Sequence, residues 1–116
     1  VLQKIPSGKI IKKELNKLVQ CADGFYMSVQ ARATSYCTPR NDTGPYTQAE
    51  DGFPSAPEPL LLPFAEDPEK PTQTVYGWVP KQTILDVIAK HGGMIDGALP
   101  EGFPHLYAPG ASTSPE

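Results

Sequence analysis

The stretch from Gln73 to Gly93 constrains the fold more than any other part of the chain, because a strand pattern runs directly into a helix pattern there. β-Branched and aromatic residues alternate over residues 73–79, which is typical of a pleated strand. Pro80 suits a first helical position, where its missing N–H would have had no partner. An apolar helical stripe and paired glycines follow, namely Ile84, Leu85, Ile88, Gly92 and Gly93. We therefore predict a strand over residues 73–79 and a helix over residues 80–91.

Two further segments have the pattern of antiparallel strands. Residues 25–33 place Phe25, Met27, Val29 and Ala31 on one side and mainly polar residues on the other. This alternation predicts a sheet with one buried face and one wet face. Residues 46–53 predict a short strand that returns antiparallel to the first. Residues 60–64 are consistent either with a brief edge strand or with a loop that lays apolar side chains on the core.

The N-terminal residues 1–22 predict a basic helix. Ser7 is suited to the N-cap, and an apolar stripe continues to about Cys21. The first twenty residues carry five lysines and one glutamate, whereas the rest of the chain carries five basic and twelve acidic groups. An acidic body repels nucleic acid, so we expect no nucleic acid partner except through this helix.

These elements together predict an α+β fold: a small antiparallel sheet of three or four strands with two helices. Fourteen prolines and ten glycines predict that the fold is rich in loops. We assign residues 1–93 to a single α+β domain and residues 94–116 to a Pro/Gly-rich C-terminal arm. The sequence lacks an apolar run near the ~20 residues of a membrane span and lacks a signal-peptide pattern. We therefore predict a cytoplasmic location and no membrane partner.

Residues 5–11 form a motif with a known counterpart. Ile5-Pro6-Ser7-Gly8-Lys9-Ile10-Ile11 resembles the C-terminal lysine motif of adenylate-forming enzymes. In that family, the lysine that matches Lys9 contacts the acyl-adenylate. Adenylation also needs a Ser/Thr/Gly-rich nucleotide loop, and no such loop accompanies the motif here. We interpret residues 5–11 as the start of the N-terminal helix.

Five short segments carry a second resemblance, which spans about residues 21–93. They are Tyr36-Cys37-Thr38-Pro39-Arg40, Gly44-Pro45-Tyr46, Gly52-Phe53-Pro54-Ser55, Thr74-Val75-Tyr76-Gly77 and Lys90-His91-Gly92-Gly93. With these segments the chain resembles small uncharacterised proteins encoded by bacteriophages and prophages. The resemblance implies an accessory protein that binds a host or virion component. The family name itself carries no activity, because these proteins are uncharacterised.

Candidate catalytic and metal-binding residues do not form a complete set in the sequence. Cys37 and Arg40 are three residues apart, which is too close for the phosphate-binding loop of a cysteine phosphatase. Cys21, Cys37, His91 and His105 lack the paired spacing of a zinc site. We therefore predict no catalytic residue, no metal and no cofactor. An enzyme that pairs Cys37 with a histidine stays open as an alternative.

The loop over residues 36–46 is the predicted binding surface. Tyrosine and arginine are enriched at the energetic centres of protein interfaces. The predicted binding residues are Tyr36, Arg40, Asn41, Asp42 and Tyr46. Trp78 is expected in the core. We predict a small non-catalytic protein that binds a protein partner or regulates it, as a phage accessory protein would. The alternative is a structural or virion component that forms homo-oligomers.

Overall fold

The structure, a computed structural model, describes residues 14–110 and shows a five-stranded antiparallel sheet with one α-helix in that range. The order of strands across the sheet is β4-β3-β2-β1-β5. The elements are β1 (Val19–Cys21), β2 (Tyr26–Gln30), β3 (Gln48–Gly52), a 3₁₀ turn (Leu62–Phe64), β4 (Val75–Pro80), α1 (Lys81–Lys90) and β5 (Met94–Asp96).

The predicted α+β class and the antiparallel sheet are confirmed, but the counts of elements differ. The sheet has five strands where three or four were predicted. Strands β2, β3 and β4 and helix α1 overlap the segments predicted for them. Residues 60–64 form the predicted loop rather than an edge strand, with Leu61 fully buried. Across residues 14–110, no helix has the length and apolar character needed to cross a membrane.

The prediction of an N-terminal helix over residues 1–22 is wrong for the part that the structure describes. Residues 1–13, including Ser7 and Lys9, lie outside the described residues. Residues 14–18 form no regular secondary structure, and β1 pairs with β2 on one side and with β5 on the other. Val19 and Cys21 are buried while Gln20 is exposed. Hydrogen bonds to a neighbouring and to a distant strand therefore decide the conformation of β1. A strand of three residues is also too short to show a period in the sequence.

The chain after Gly93 is partly integrated into the body. Met94–Asp96 forms the edge strand β5, and Leu99 and Phe103 are buried in the core. Residues 111–116 of the predicted C-terminal arm lie outside the described residues.

The core lies on one face of the sheet and is closed by α1. Helix α1 buries Ile84, Val87 and Ile88, which fall on one side of a 3.6-residue repeat. They belong to the same core as Met27 and Val29 of β2. Burying each such side chain stabilises the fold by about 1.5–3 kcal/mol. The opposite face of the sheet carries polar and half-exposed side chains, as the alternation of β2 predicts.

A β-bulge in β4 changes which side chains face the core. Ala49 of β3 pairs with Val79, and Asp51 pairs with Tyr76, so β4 has one extra residue between these pairs. Trp78 lies in this bulge with φ of 50°, in the left-handed region that bulky residues rarely adopt. Val79 and Tyr76 are therefore both buried, while Trp78 points outward with 47% of its surface exposed. The expectation that Trp78 belongs to the core is not met.

Both edges of the sheet are covered by other parts of the chain. Along β4, Glu66 N donates to Val75 O and Trp78 N donates to Tyr36 O, each at 2.9 Å. Along β5, Met94 N donates to Leu106 O at 2.7 Å. Such cover hides the backbone groups that would otherwise pair with another strand.

Candidate functional site

Tyr36 is held beside β3 and β4 by one hydrogen bond to a side chain and one to the backbone. Its N–H donates to Glu50 Oε1 at 2.8 Å, and its carbonyl accepts from Trp78 N at 2.9 Å. Gly77 allows this close approach, since a Cβ there would lie only 3.3 Å from Tyr36 Cβ. The loop after β2 is thereby fixed to the bulge of β4.

Three side chains form a stack at this point, which we call the aromatic platform: Tyr36, Arg40 and Trp78. The rings of Tyr36 and Trp78 are 4.8 Å apart between centroids and 20° from parallel. Arg40 Cζ lies 5.5 Å from the centroid of the Tyr36 ring, within the range of a cation–π interaction. Each of these contacts contributes on the order of 1 kcal/mol. The platform therefore has a defined shape although Arg40 and Trp78 are exposed.

Asn41 and Asp42 use their side chains to shape the loop. Asn41 Oδ1 accepts hydrogen bonds from Thr43 N at 3.0 Å and Gly44 N at 2.9 Å, as in an Asx turn. Asp42 Oδ1 accepts from Ala33 N at 2.7 Å. Both residues are exposed, so their remaining polar atoms face water.

Tyr46 is fully buried. Its hydroxyl donates to Asn41 O at 2.7 Å, and its N–H donates to Glu101 O at 2.8 Å. Of the five residues predicted to bind a partner, the structure thus brings Tyr36 and Arg40 into one exposed stack. Asn41, Asp42 and Tyr46 support the loop that carries Arg40. Trp78, which the sequence pattern assigned to the core, completes the stack.

A second group of polar side chains, which we call the ionic cluster, lies at the C-terminal end of α1. It consists of Asp23, Glu58, Lys90 and His91. His91 Nδ1 is 2.6 Å from Asp23 Oδ2, and His91 Nε2 is 2.7 Å from Glu58 Oε1. Lys90 Nζ is 2.9 Å from Glu58 Oε2. The cluster joins the turn after β1, the loop after β3 and the end of α1.

Within the ionic cluster, the pKa values of Asp23, Glu58 and His91 are shifted toward the charged form. Burial raises the pKa of Glu58, but hydrogen bonds from Leu60 N, His91 and Lys90 outweigh it and lower the pKa overall. Burial alone would lower the pKa of His91, whereas the two carboxylates raise it overall. A hydrogen bond from Phe25 N and another from His91 lower the pKa of Asp23.

The geometry of the cluster leaves His91 little capacity for proton transfer. Both ring nitrogens already face a carboxylate, so a protonated ring donates two hydrogen bonds and has no free lone pair. The ring also stacks on Phe25 at 4.0 Å between centroids and 11° from parallel. A shallow pocket of about 260 Å³ adjoins these rings, lined also by Ser55 and Ala56. The arrangement is that of a fixed ion pair network.

Asp51 differs from Glu58, which is also buried, in the hydrogen bonding of its carboxyl group. It is fully buried, and across residues 14–110 neither carboxyl oxygen has a hydrogen-bond partner of good geometry. Burial and the charge of Glu58 raise its pKa well above the usual range, and the adjacent Gly52 N–H offsets only part of this. Burial thus favours the neutral form of the Asp51 carboxyl group.

The cysteines and the second histidine lie apart from any catalytic arrangement. Burial raises the pKa of Cys21 to about 11. The buried Cys37 thiol donates toward Arg32 O and Pro39 O at 3.3 and 3.4 Å. His105 Nε2 accepts from Leu99 N at 3.0 Å. In the part of the chain that the structure describes, no three His, Cys, Asp or Glu side chains are grouped so as to hold a metal ion.

Comparisons of the chain with protein families, with curated proteins and with solved structures found no match.

Proposed function

We propose that this is a small non-catalytic protein that binds a protein partner, or regulates it, through the aromatic platform. One observation carries the proposal: Trp78 is held half exposed in a left-handed backbone conformation and stacks on Tyr36. A left-handed conformation at a bulky residue costs about 1–3 kcal/mol and persists only where the surrounding structure imposes it. Folding gains little from an exposed tryptophan in such a position, whereas recognition of a partner would use it.

The composition of the platform supports an interface. Tryptophan, tyrosine and arginine are the three residue types most enriched where alanine substitution costs most binding energy. All three meet here, and their contacts with one another limit the entropy lost when a partner orders them. Trp78 and Arg40 are the members that a partner would contact most directly, since both are exposed.

The state of the candidate catalytic groups supports a non-catalytic role. Both nitrogens of His91 are engaged by carboxylates, and the Cys37 thiol is buried against backbone carbonyls. A nucleophile–base pair needs hydrogen-bond reach between the two groups, and these groups are engaged elsewhere. The resemblance to phage accessory proteins agrees with a binding role.

Affinity capture with matched variants tests the proposal. The tagged full chain, its Trp78→Asn variant and its Tyr26→Asn variant are each exposed to a lysate of the source organism. Tyr26 is a suitable control because it is 44% exposed on β2 and lies outside the platform. We expect a stoichiometric partner that the wild type and Tyr26→Asn retain and Trp78→Asn loses.

The same experiment can overturn the proposal. A partner captured equally by all three proteins would show that the platform is not the binding surface. Light scattering on the purified proteins tests the alternative function, which is a structural component that forms homo-oligomers. Self-association that disappears in Trp78→Asn would favour the homo-oligomeric structural component instead.

A further inference from the structure

We infer that the aromatic platform recognises a peptide segment in which a carboxylate side chain lies two residues from a proline or aromatic ring. The inference rests on the proposed function and names the chemistry of the partner. It follows from the guanidinium group of Arg40, which has no carboxylate partner in the described chain, from the distances within the platform and from the charge of the surrounding residues.

Arg40 presents an unused guanidinium group. Across residues 14–110 it has no hydrogen bond and no ion pair, and the contact it makes is with the Tyr36 ring. A guanidinium group has five N–H donors in a planar fork that matches a carboxylate with two parallel hydrogen bonds. The stack on Tyr36 restricts the side chain while leaving these donors available. A carboxylate is thus the natural complement of this part of the platform.

The second half of the platform is Trp78, whose indole is suited to contact a ring of the bound peptide. The indole of Trp78 is 47% exposed and is fixed by its stack on Tyr36. A flat and rigid aromatic surface binds proline and aromatic rings because both offer area at low entropic cost. The covered edge of β4 leaves little room for an added strand, so the peptide would be read through its side chains.

The distances within the platform limit the spacing of the two groups in the peptide. Arg40 Cζ and the Trp78 ring lie 5.5 Å and 4.8 Å from the same Tyr36 centroid, so they are at most about 10 Å apart. In an extended peptide, side chains at positions i and i+2 point the same way and are about 7 Å apart. A carboxylate and a ring at these positions can therefore contact Arg40 and Trp78 together.

The charge distribution favours a peptide with a single acidic group over a polyanion. Residues 14–110 carry six basic and twelve acidic side chains, a net charge of −6. Residues 31–48 are the locally positive part, with Arg32 and Arg40 against Asp42. A nucleic acid strand would extend from this area over the acidic remainder and be repelled, whereas one carboxylate would not.

Selection from a random peptide library tests the inference. A phage-displayed library of random dodecapeptides is selected on the immobilised full chain and counter-selected on Trp78→Asn. Enriched peptides are synthesised, and their affinities are measured by fluorescence polarisation at low and high salt. We expect a consensus with Asp or Glu two residues from Pro, Phe, Tyr or Trp. Arg40→Gln should weaken binding about 10-fold and reduce its salt dependence, and Trp78→Asn should weaken binding about 30-fold.

Lys70→Gln is the matched control. It removes one positive charge at an exposed position outside the platform, and it should leave both the affinity and its salt dependence unchanged. A parallel measurement uses a single-stranded thymidine oligonucleotide as the probe. We expect no binding of the oligonucleotide that depends on Trp78.

The outcomes separate the inference from the proposed function. Peptides that require Trp78 but lack an acidic residue, or bind Arg40→Gln as well as the wild type, would overturn the inference and leave the proposed function standing. A library that yields no peptide dependent on Trp78 would overturn the inference, while capture of a Trp78-dependent partner would still support the proposed function. An oligonucleotide that binds through Trp78 would contradict both.

Discussion

The aromatic platform and the ionic cluster both contain a basic side chain stacked on an aromatic ring, but the two basic groups have different partners. In the cluster, His91 stacks on Phe25 and meets two carboxylates, and Lys90 meets one. In the platform, Arg40 stacks on Tyr36 and meets no carboxylate in the described chain. Within residues 14–110, the charged groups of the cluster pair with one another, whereas the guanidinium group of Arg40 faces no carboxylate. The difference supports the proposal that the platform serves recognition, while the cluster serves stability.

Glu58→Gln should show the largest effect on stability. Glu58 is only 1% exposed and accepts hydrogen bonds from Lys90, His91 and Leu60 N. Breaking a buried ion pair costs about 3–5 kcal/mol, and we expect about 3 kcal/mol because Lys90 is half exposed. Urea unfolding measures this loss. Glu69→Gln, an exposed control, should change stability by less than about 0.5 kcal/mol. Binding at the platform should be unaffected by either substitution, and a parallel loss of binding would break the proposed separation.

Asp51→Val should stabilise the protein at neutral pH by about 2 kcal/mol. The substitution removes a buried carboxyl group without hydrogen-bond partners and places a β-branched residue in a strand. Because the folded-state pKa of Asp51 is raised above 3.8, the wild type loses stability as the pH rises from about 4 toward the folded-state value. The variant should lack this part of the pH dependence. Thermal unfolding over a pH series measures the effect, with the exposed Asp86→Asn as control.

A neutral or destabilising effect of Asp51→Val would contradict this interpretation. It would mean that the carboxyl group has a partner that stabilises it in the folded protein.

His91→Gln should reveal the pH window of the ionic cluster. The pKa of His91 is raised, so its stabilisation is complete below about pH 6.5 and is lost as the pH rises through the folded-state pKa. The pKa values of Asp23 and Glu58 are lowered, so their stabilisation is present above about pH 4.5 and is lost as the pH falls through their folded-state values. We expect the variant to lose about 1.5 kcal/mol near pH 5.5 and less above pH 7. A loss that is constant with pH would contradict a charged network.

Substitution of Trp78 by asparagine should have the smallest effect on stability and a large effect on binding. Asparagine tolerates the left-handed conformation, whereas a β-branched residue does not. We expect Trp78→Asn to fold with nearly wild-type stability and Trp78→Val to be less stable than Trp78→Asn by about 1 kcal/mol. Both should lose binding at the platform. Equal stability of the two variants would show that the bulge relaxes when the indole is removed.

The sequence predicts those parts of the fold that local patterns determine. Pro80, the stripe of Ile84 and Ile88 and the paired glycines correctly predict α1. The alternation of Met27 and Val29 correctly predicts the buried face of β2. Strands β1 and β5 each have three residues, which is too short to show a period, and their pairing with each other joins distant parts of the sequence.

The candidate site, too, was predicted from the sequence only where local patterns determine it. Loop composition draws attention to Tyr36 and Arg40, and the turn preference of Asn41 accounts for its role inside the loop. Trp78 was missed because strict alternation from Tyr76 places it on the core side, and the bulge reverses this. Gly77 is the one local signal of the irregularity. The ionic cluster was missed because Asp23, Glu58 and His91 come from three separated segments.

The covered sheet edges have a consequence for how the binding preference of this protein could change. A protein that recruits partners by adding a strand reads mainly backbone, and many sequences satisfy it. Here the backbone of β4 is occupied by Tyr36 and Glu66, and that of β5 by Leu106. Under the proposed function, recognition would depend on a few exposed side chains, chiefly Arg40 and Trp78. Such a surface can acquire a new partner through one or two substitutions while the scaffold stays intact.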